Sequence, residues 1–396
     1  MRVLVDIRHL STPQPAGVGG YTKSLLHALF DIDKENEYVL LSSGKKSMPS
    51  RPSKASRVIS NSGSLDFARD DKSNVSFFHI PISNKLLNLR TLLLRHPSLN
   101  WRVREPVDLL FLPNLAIATL PTDIPTVLTV HDLSWNLYQN FYSHKMQFWH
   151  KATRPEELIT QSTSIIVPSS STRRDLQRLY SVPAEKAYVV PHGVAPRFNE
   201  KMLASDHGVR SRLKLPKRFA LFVGTIEPRK NLLTLIDGVK EYRERSHDDL
   251  HLVLIGGWGW RSHGIRRRLW KRDTYEWVHQ IGYVDGHDLP AIYRSAQATV
   301  FPSIYEGFGL PILESMASGT PVITSHTSSM PEVGADASLY IDPYNSRDLS
   351  EALRGLLSSS SLHKQLRERG IARTREFTWE KTARQTLEVF NHVIQA

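Results

Sequence analysis

The chain has 396 residues and a net charge of +12, with 51 Lys and Arg against 39 Asp and Glu and a pI near 9.7. At roughly 100–200 residues per domain this length suggests about two domains. The absence of cysteine excludes disulfides and thiolate metal sites. No run approaches the ~18 apolar residues of a membrane span, and the opening MRVLVDIRHL lacks the apolar core of a secretory signal. A cytoplasmic protein, with the option of peripheral attachment to the inner face of a membrane, is the expectation. The cationic excess favours anionic partners: nucleic acid, an anionic membrane surface or a phosphate-bearing small molecule. Scattered surface charge is the plain alternative.

The first apolar run, Val3, Leu4, Val5 and Ile7, predicts a strand, followed by a glycine turn at Pro15-Ala16-Gly17-Val18-Gly19-Gly20. Leu25, Leu26, Leu29 and Phe30 then lie on one face of a helix over 21–30. Residues 44–74 are rich in Ser, Lys and Pro and predict a surface excursion. Residues 85–104 mix leucines with arginines and include Trp101, which fits either a helix packed on a sheet or one lying on an anionic membrane. Further strands are expected at 38–41, 109–112, 126–130, 164–167 and 187–190. Residues 196–216 read as a linker. A second cycle has strands at 219–223, 252–255, 278–281, 298–301, 321–324 and 339–341, with a helix at 231–242 after the first of them. Alternating strands and helices predict parallel, doubly wound α/β sheets, whose ligands bind beyond the carboxyl ends of the strands.

Three segments there carry the residue types that phosphate chemistry needs. Gly17, Gly19 and Gly20 allow close backbone approach to a ligand, although the spacing is not that of a dinucleotide fingerprint and a plain turn competes. Arg229 and Lys230, in Glu227-Pro-Arg-Lys-Asn, place two cations at a strand-to-helix turn, where charge grows on a departing diphosphate. A solvated basic turn is the competing reading. Glu306-Gly-Phe-Gly-Leu-Pro-Ile-Leu-Glu314 follows a strand with turn glycines and then Pro311 at a helix start. Its helix would offer N–H groups to an anion, Glu314 would suit a ribose diol, and Glu306 would reach the sugar. His131 and His192 follow strands, where a satisfied loop histidine is the plainer alternative. No metal-ligand spacing occurs, so no metal is expected.

Taken together the motifs resemble the retaining glycosyltransferases of family 4, which have the GT-B fold: two Rossmann-like domains facing a cleft. The resemblance rests on GVGGYT, HDL at 131–133, PHGV at 191–194, VGTIEPRKN at 223–231, IGG at 255–257, GYV at 282–284, EGFGLPILE at 306–314 and the ending Phe377-Thr-Trp-Glu. It implies an acceptor-side domain at 1–195, completed by a last helix at about 378–396, and a donor domain at 196–377. Carried over by position, it implies that Gly17, Gly19 and Gly20 close over the donor phosphates and that His131 contacts the donor sugar. Lys230 would hold the diphosphate, and Gly309, Leu310 and Pro311 would contact sugar and phosphates through the backbone. Glu306 would lie by the sugar, Glu314 on the ribose, and Tyr283 and Val284 beside the base. Many family members carry arginine where this chain has Thr225; Arg229 is the expected substitute. The variant resembles a bacterial mannosyltransferase-like subgroup of surface polysaccharide synthesis.

The expected activity is therefore retaining transfer of a hexose, mannose favoured, from a nucleotide-diphosphate sugar to a saccharide or lipid-linked acceptor. GDP-mannose would act as a substrate, with no cofactor. The resemblance favours a front-face path in which the departing diphosphate takes the acceptor's proton. The alternatives are a GT-B-like nucleotide-sugar epimerase and, from another class, a basic nucleic-acid-binding protein. No nucleic-acid module is visible, so nucleic acid is not an expected partner.

Overall fold

A computed structural model describes residues 1–11, 17–44, 74–95, 98–101, 103 and 105–395. The expected excursion at 44–74 falls almost wholly outside them. The described chain divides into two compact units. The first holds Met1–Leu133, Lys145–Gly193 and Trp379–Ala396; the second holds Ser134–His144 and Val194–Thr378.

The first unit contains a seven-stranded sheet of β1 (Arg2–Asp6), β2 (Glu37–Ser43), β3 (Val75–Ile80), β4 (Leu109–Leu112), β5 (Thr126–Thr129), β6 (Ser164–Val167) and β7 (Ala187–Val189). Its order is β3-β2-β1-β4-β5-β6-β7, with every pair parallel. Strands buried on both faces read as continuous apolar runs, and β4, β5 and β6 are buried at every position. Helix Val18–Ile32 covers one face through Leu25, Leu26, Leu29 and Phe30. The last helix, Trp379–Gln395, packs beside it and sets Phe390 edge-on to Phe111, with ring centroids 5.1 Å apart.

The second unit contains β8 (Phe219–Val223), β9 (His251–Ile255), β10 (Val278–Gly282), β11 (Ala298–Phe301), β12 (Val322–Ser325) and β13 (Ser338–Ile341). Their order is β10-β9-β8-β11-β12-β13, again all parallel. Chain order reverses between β1 and β4 in one sheet and between β8 and β11 in the other. Such switch points open a crevice beyond the carboxyl ends of the strands. Residues 134–144 join this unit because Tyr142 stacks on Trp260 at 5.4 Å and its carbonyl accepts from Arg261 at 3.3 Å.

Several local expectations need correction. The glycine turn is shorter than read: Gly17 precedes the helix at φ 58°, while Gly19 and Gly20 are already in its first turn. β3 lies where no strand was expected, because it is a half-exposed edge strand beside a polar stretch. The supposed linker 196–216 contains helix Ala204–Arg212, of whose nine residues only Asp206 and Val209 are buried. A buried ion pair anchors it: Arg294 donates to both oxygens of Asp206, at 2.7 and 2.8 Å. That tie spans the sequence and leaves no local apolar period.

Candidate active site

The loops after β8 and β11 flank the second unit's switch point, and backbone bonds lock them together. The Ile304 amide donates to the Arg229 carbonyl at 3.0 Å, and Asn231 Nδ2 donates to the Pro302 carbonyl at 3.2 Å. Arg229 and Lys230 do not directly precede a helix. They lie in a 3₁₀ turn, Pro228–Lys230, and Asn231 then takes a left-handed conformation before helix Leu232–Ser246. The extra turn brings both cations onto one carboxylate. Lys230 Nζ donates to Glu306 Oε1 at 2.6 Å and Arg229 Nη1 to Glu306 Oε2 at 2.7 Å. Arg229 also donates from Nη2 to Glu227 Oε1 at 2.7 Å and from Nη1 to the Tyr305 carbonyl at 2.8 Å.

Glu227, Lys230 and Glu306 are all buried. Charges taken out of water survive only when paired. Two carboxylates against two cations leave this group formally neutral. Burial alone would raise Glu306, but Arg229 and Lys230 outweigh it and hold the carboxyl at about 2. For Glu227 burial wins over the same cations, and its pKa lies above the usual value.

Glu306 is also fixed from behind. Its amide donates to Ser328 Oγ at 3.1 Å, and the Ser329 hydroxyl lies 2.9 and 2.6 Å from the carbonyl oxygens of Glu306 and Phe308. Gly309 then caps helix Leu310–Ala317 at φ 122°, where a side chain is strained and a Cβ would meet Ile312 at 3.1 Å. Pro311 sits in the first turn, where its missing N–H costs nothing. Glu314, half-buried one turn further on, accepts from the Tyr293 hydroxyl at 2.9 Å. Burial raises its pKa against that bond and the charge of Arg197. Thr225 is exposed and borders Gly259, whose added Cβ would meet its Cγ2 at 2.8 Å. Beyond β10, Tyr283 is 65% exposed and Val284 half-buried.

The first unit's expected residues make a site of opposite character. His131 Nε2–H donates to the Pro113 carbonyl at 2.8 Å, which fixes the tautomer. Burial pushes its pKa down to about 4, so the ring is neutral at physiological pH. Tyr21 packs on both His131 and His192 with ring centroids 4.6 Å away in each case, and Trp379 stacks on His192 at 6.1 Å. Gly17 is exposed and Gly19 buried at the head of the same helix.

Thus the second unit brings Arg229, Lys230 and Glu306 together, with the cap at Gly309 following in the same loop. Glu314 stands on the next helical turn, bonded elsewhere. Sequence reasoning missed Glu227, Tyr293, Ser328 and Ser329. The alternation in Glu227-Pro-Arg-Lys was the available signal for the first; the serines act through their position before helix Met330–Gly334, which only the fold reveals.

Two parallel-sheet units, one with paired cations at its switch point, define a class: GT-B glycosyltransferases. The chain belongs to the glycosyltransferase family, since residues 208–373 match the family described as Glycosyl transferases group 1 and residues 55–198 match Glycosyltransferase Family 4. It is 31% identical over 303 residues to O-antigen chain mannosyltransferase B of Escherichia coli, covering 75% of this chain and 78% of that protein. Among solved structures it is similar to sucrose-phosphate synthase from Thermosynechococcus elongatus, with TM-score 0.74, 18% identity, and 100% and 99% of the two chains covered. A further fold neighbour is Anabaena Alr3699/HepE in complex with UDP and glucose, with TM-score 0.69, 15% identity, and 98% and 99% covered. The described residues contain no helix long and apolar enough to cross a membrane.

Proposed function

We propose that the chain transfers mannose, with retention, from GDP-mannose to a saccharide or lipid-linked acceptor in cell-surface polysaccharide synthesis. The mannose assignment rests on the Escherichia coli relative, whose name is O-antigen chain mannosyltransferase B. The observation that carries the chemistry is the convergence of Lys230 and Arg229 on Glu306 at the switch point.

Cleavage of the bond between the anomeric carbon and the diphosphate leaves growing charge on a phosphate oxygen, and preorganised cations stabilise it. Glu306 takes one of the three N–H donors of Lys230, and the other two remain for phosphate. In the front-face path the acceptor hydroxyl attacks the face from which the diphosphate departs. As the bond from the anomeric carbon to the phosphate oxygen breaks, the acceptor oxygen bonds to that carbon and its proton passes to the departing diphosphate. The diphosphate competes with Glu306 for both cations, so donor binding loosens the ion pairs and frees Glu306 toward the sugar. The half-buried Glu314 carboxylate suits the ribose hydroxyls. The neutral His131 offers Nδ1 as an acceptor for a sugar hydroxyl. Cationic side chains supply the charge that a metal would otherwise bring, so chelator is expected to leave the rate unchanged.

A thermal-shift panel with GDP, UDP, ADP and dTDP tests the donor, followed by product analysis with GDP-mannose. Stabilisation by GDP above the others and an axial product linkage are expected. A larger shift with UDP overturns the GDP assignment, and an inverted anomeric product overturns retention.

A further inference from the structure

Helix Asn84–Leu94 of the first unit presents apolar side chains to water. It is seated through Leu87 and Thr91, while Leu86, Leu89, Leu93 and Leu94 are 59, 52, 72 and 62% exposed. A surface helix ordinarily carries polar residues on that face. Leu86, Leu89 and Leu93 follow the three-and-four spacing of a single stripe, and Lys85 and Arg90 share it. The Arg90 guanidinium lies 5.6 Å from the Trp101 ring centroid.

A second helix, His144–Ala152, which lies in the same unit from Lys145 onward, buries none of its residues and exposes Phe148 and Trp149, at 75 and 49%. Lys145 and Lys151 flank them. Arg154, just beyond this helix, donates from Nη2 to the Leu92 carbonyl at 3.0 Å and so ties the ends of the two helices together.

Charge separates the candidate occupants of this surface. No Asp or Glu occurs between Asp71 and Glu105, nor between Asp132 and Glu156. The exposed leucines and aromatics therefore stand among Lys85, Arg90, Arg95, Lys145 and Lys151, with no acid between them in sequence; Arg154, at the edge, is paired with Glu157 at 3.8 Å. A second copy would set the same cations against one another, and like charges across an interface are repulsive. An anionic bilayer complements every part: its acyl boundary takes Leu and Phe, its headgroup level takes Trp, and its phosphates take the cations. We infer that helices Asn84–Leu94 and His144–Ala152 dock the first unit on the surface of an anionic phospholipid bilayer. This goes beyond the transfer reaction, since it fixes where the enzyme works and not what its donor site does.

The test uses the full chain with phosphatidylcholine vesicles, with and without phosphatidylglycerol. Co-sedimentation is expected only with the anionic lipid, and it should weaken as salt is raised. Leu89→Glu with Leu93→Glu should lower vesicle affinity about tenfold or more, since two charges would enter the acyl boundary. Lys85→Gln and Arg90→Gln should each cost about fivefold. All four positions are exposed, so melting temperature and transfer to a water-soluble acceptor should match the parent; a parent that fails to transfer at all would count against the proposed function and not against docking. Docking is overturned by a parent that ignores anionic vesicles, or by glutamate variants that bind them as the parent does. It is equally overturned by a parent dimer that the glutamate variants convert to monomer without change in vesicle binding.

Discussion

The two units place different chemistry at the carboxyl ends of their sheets. In the second, Glu227, Arg229, Lys230 and Glu306 form a buried, charge-balanced group whose members fix one another. In the first, Tyr21, His131, His192 and Trp379 form a neutral aromatic group, with both histidines held uncharged by burial. The contrast is electrostatic: the second unit concentrates paired charge beyond its strands, and the first keeps neutral hydrogen-bonding rings there. Each side is also stable on its own terms: ions by pairing, histidines by losing their protons.

The contrast can be broken most forcefully at Lys230. Lys230→Ala should lower kcat/KM about 10²-fold or more in steady-state transfer assays, as removal of a preorganised charge does. Turnover at the parent level would remove it from the reaction. Next comes the pairing itself. Glu306→Gln leaves Arg229 and Lys230 short of countercharge and should cost about 3 kcal/mol in urea unfolding. Glu306 has its folded pKa depressed to about 2, so its stabilisation is present above the unfolded value and fades as pH falls toward 2. The variant should lack that acid limb; an unchanged limb would place the titration elsewhere.

The neutral side predicts a different pH window. His131 has its folded pKa lowered from 6.5 to about 4, so the unfolded chain binds more protons between those values. Stability should therefore fall as pH drops from 6.5 to 4, and His131→Gln should flatten part of the slope in denaturant titrations. His192, also lowered, should keep the remainder. The smallest effect is expected at Tyr293→Phe, which deletes the hydrogen bond to Glu314 and should cost about 1 kcal/mol. If Glu314 holds the ribose, the donor KM should rise severalfold while kcat stays near the parent value. A change in kcat alone would argue against that role.

Much of this contrast is legible in the amino-acid order. EGFGLPILE declares its turn and helix start through glycine and proline, which act over a few residues and need no tertiary partner. The buried strands declare themselves as apolar runs. What escaped reading depends on distant partners. Helix Ala204–Arg212 exists through Asp206 and Arg294, which lie far apart in sequence. Glu227 looks like a surface acid until Arg229 turns back on it. Ser328 and Ser329 are ordinary until the chain returns to the loop after β11. Gly19 and Gly20, conversely, suggested an open turn because glycine disfavours helices, yet both fall in the first turn of helix Val18–Ile32, where Gly19 is buried and Gly20 exposed.

The helix Trp379–Gln395 belongs to the first unit but is synthesised after the whole of the second. Phe390, wholly buried beside Phe111, and its helix neighbours Ala383, Val389 and Val393 complete a core whose remaining members lie at Val190 or earlier in the chain. The second unit can therefore close while the first is still waiting on the ribosome with an apolar groove uncovered. That interval is when a chaperone would be engaged, and a stop codon just before Trp379 would make it permanent, leaving the first unit with its groove open and prone to aggregate.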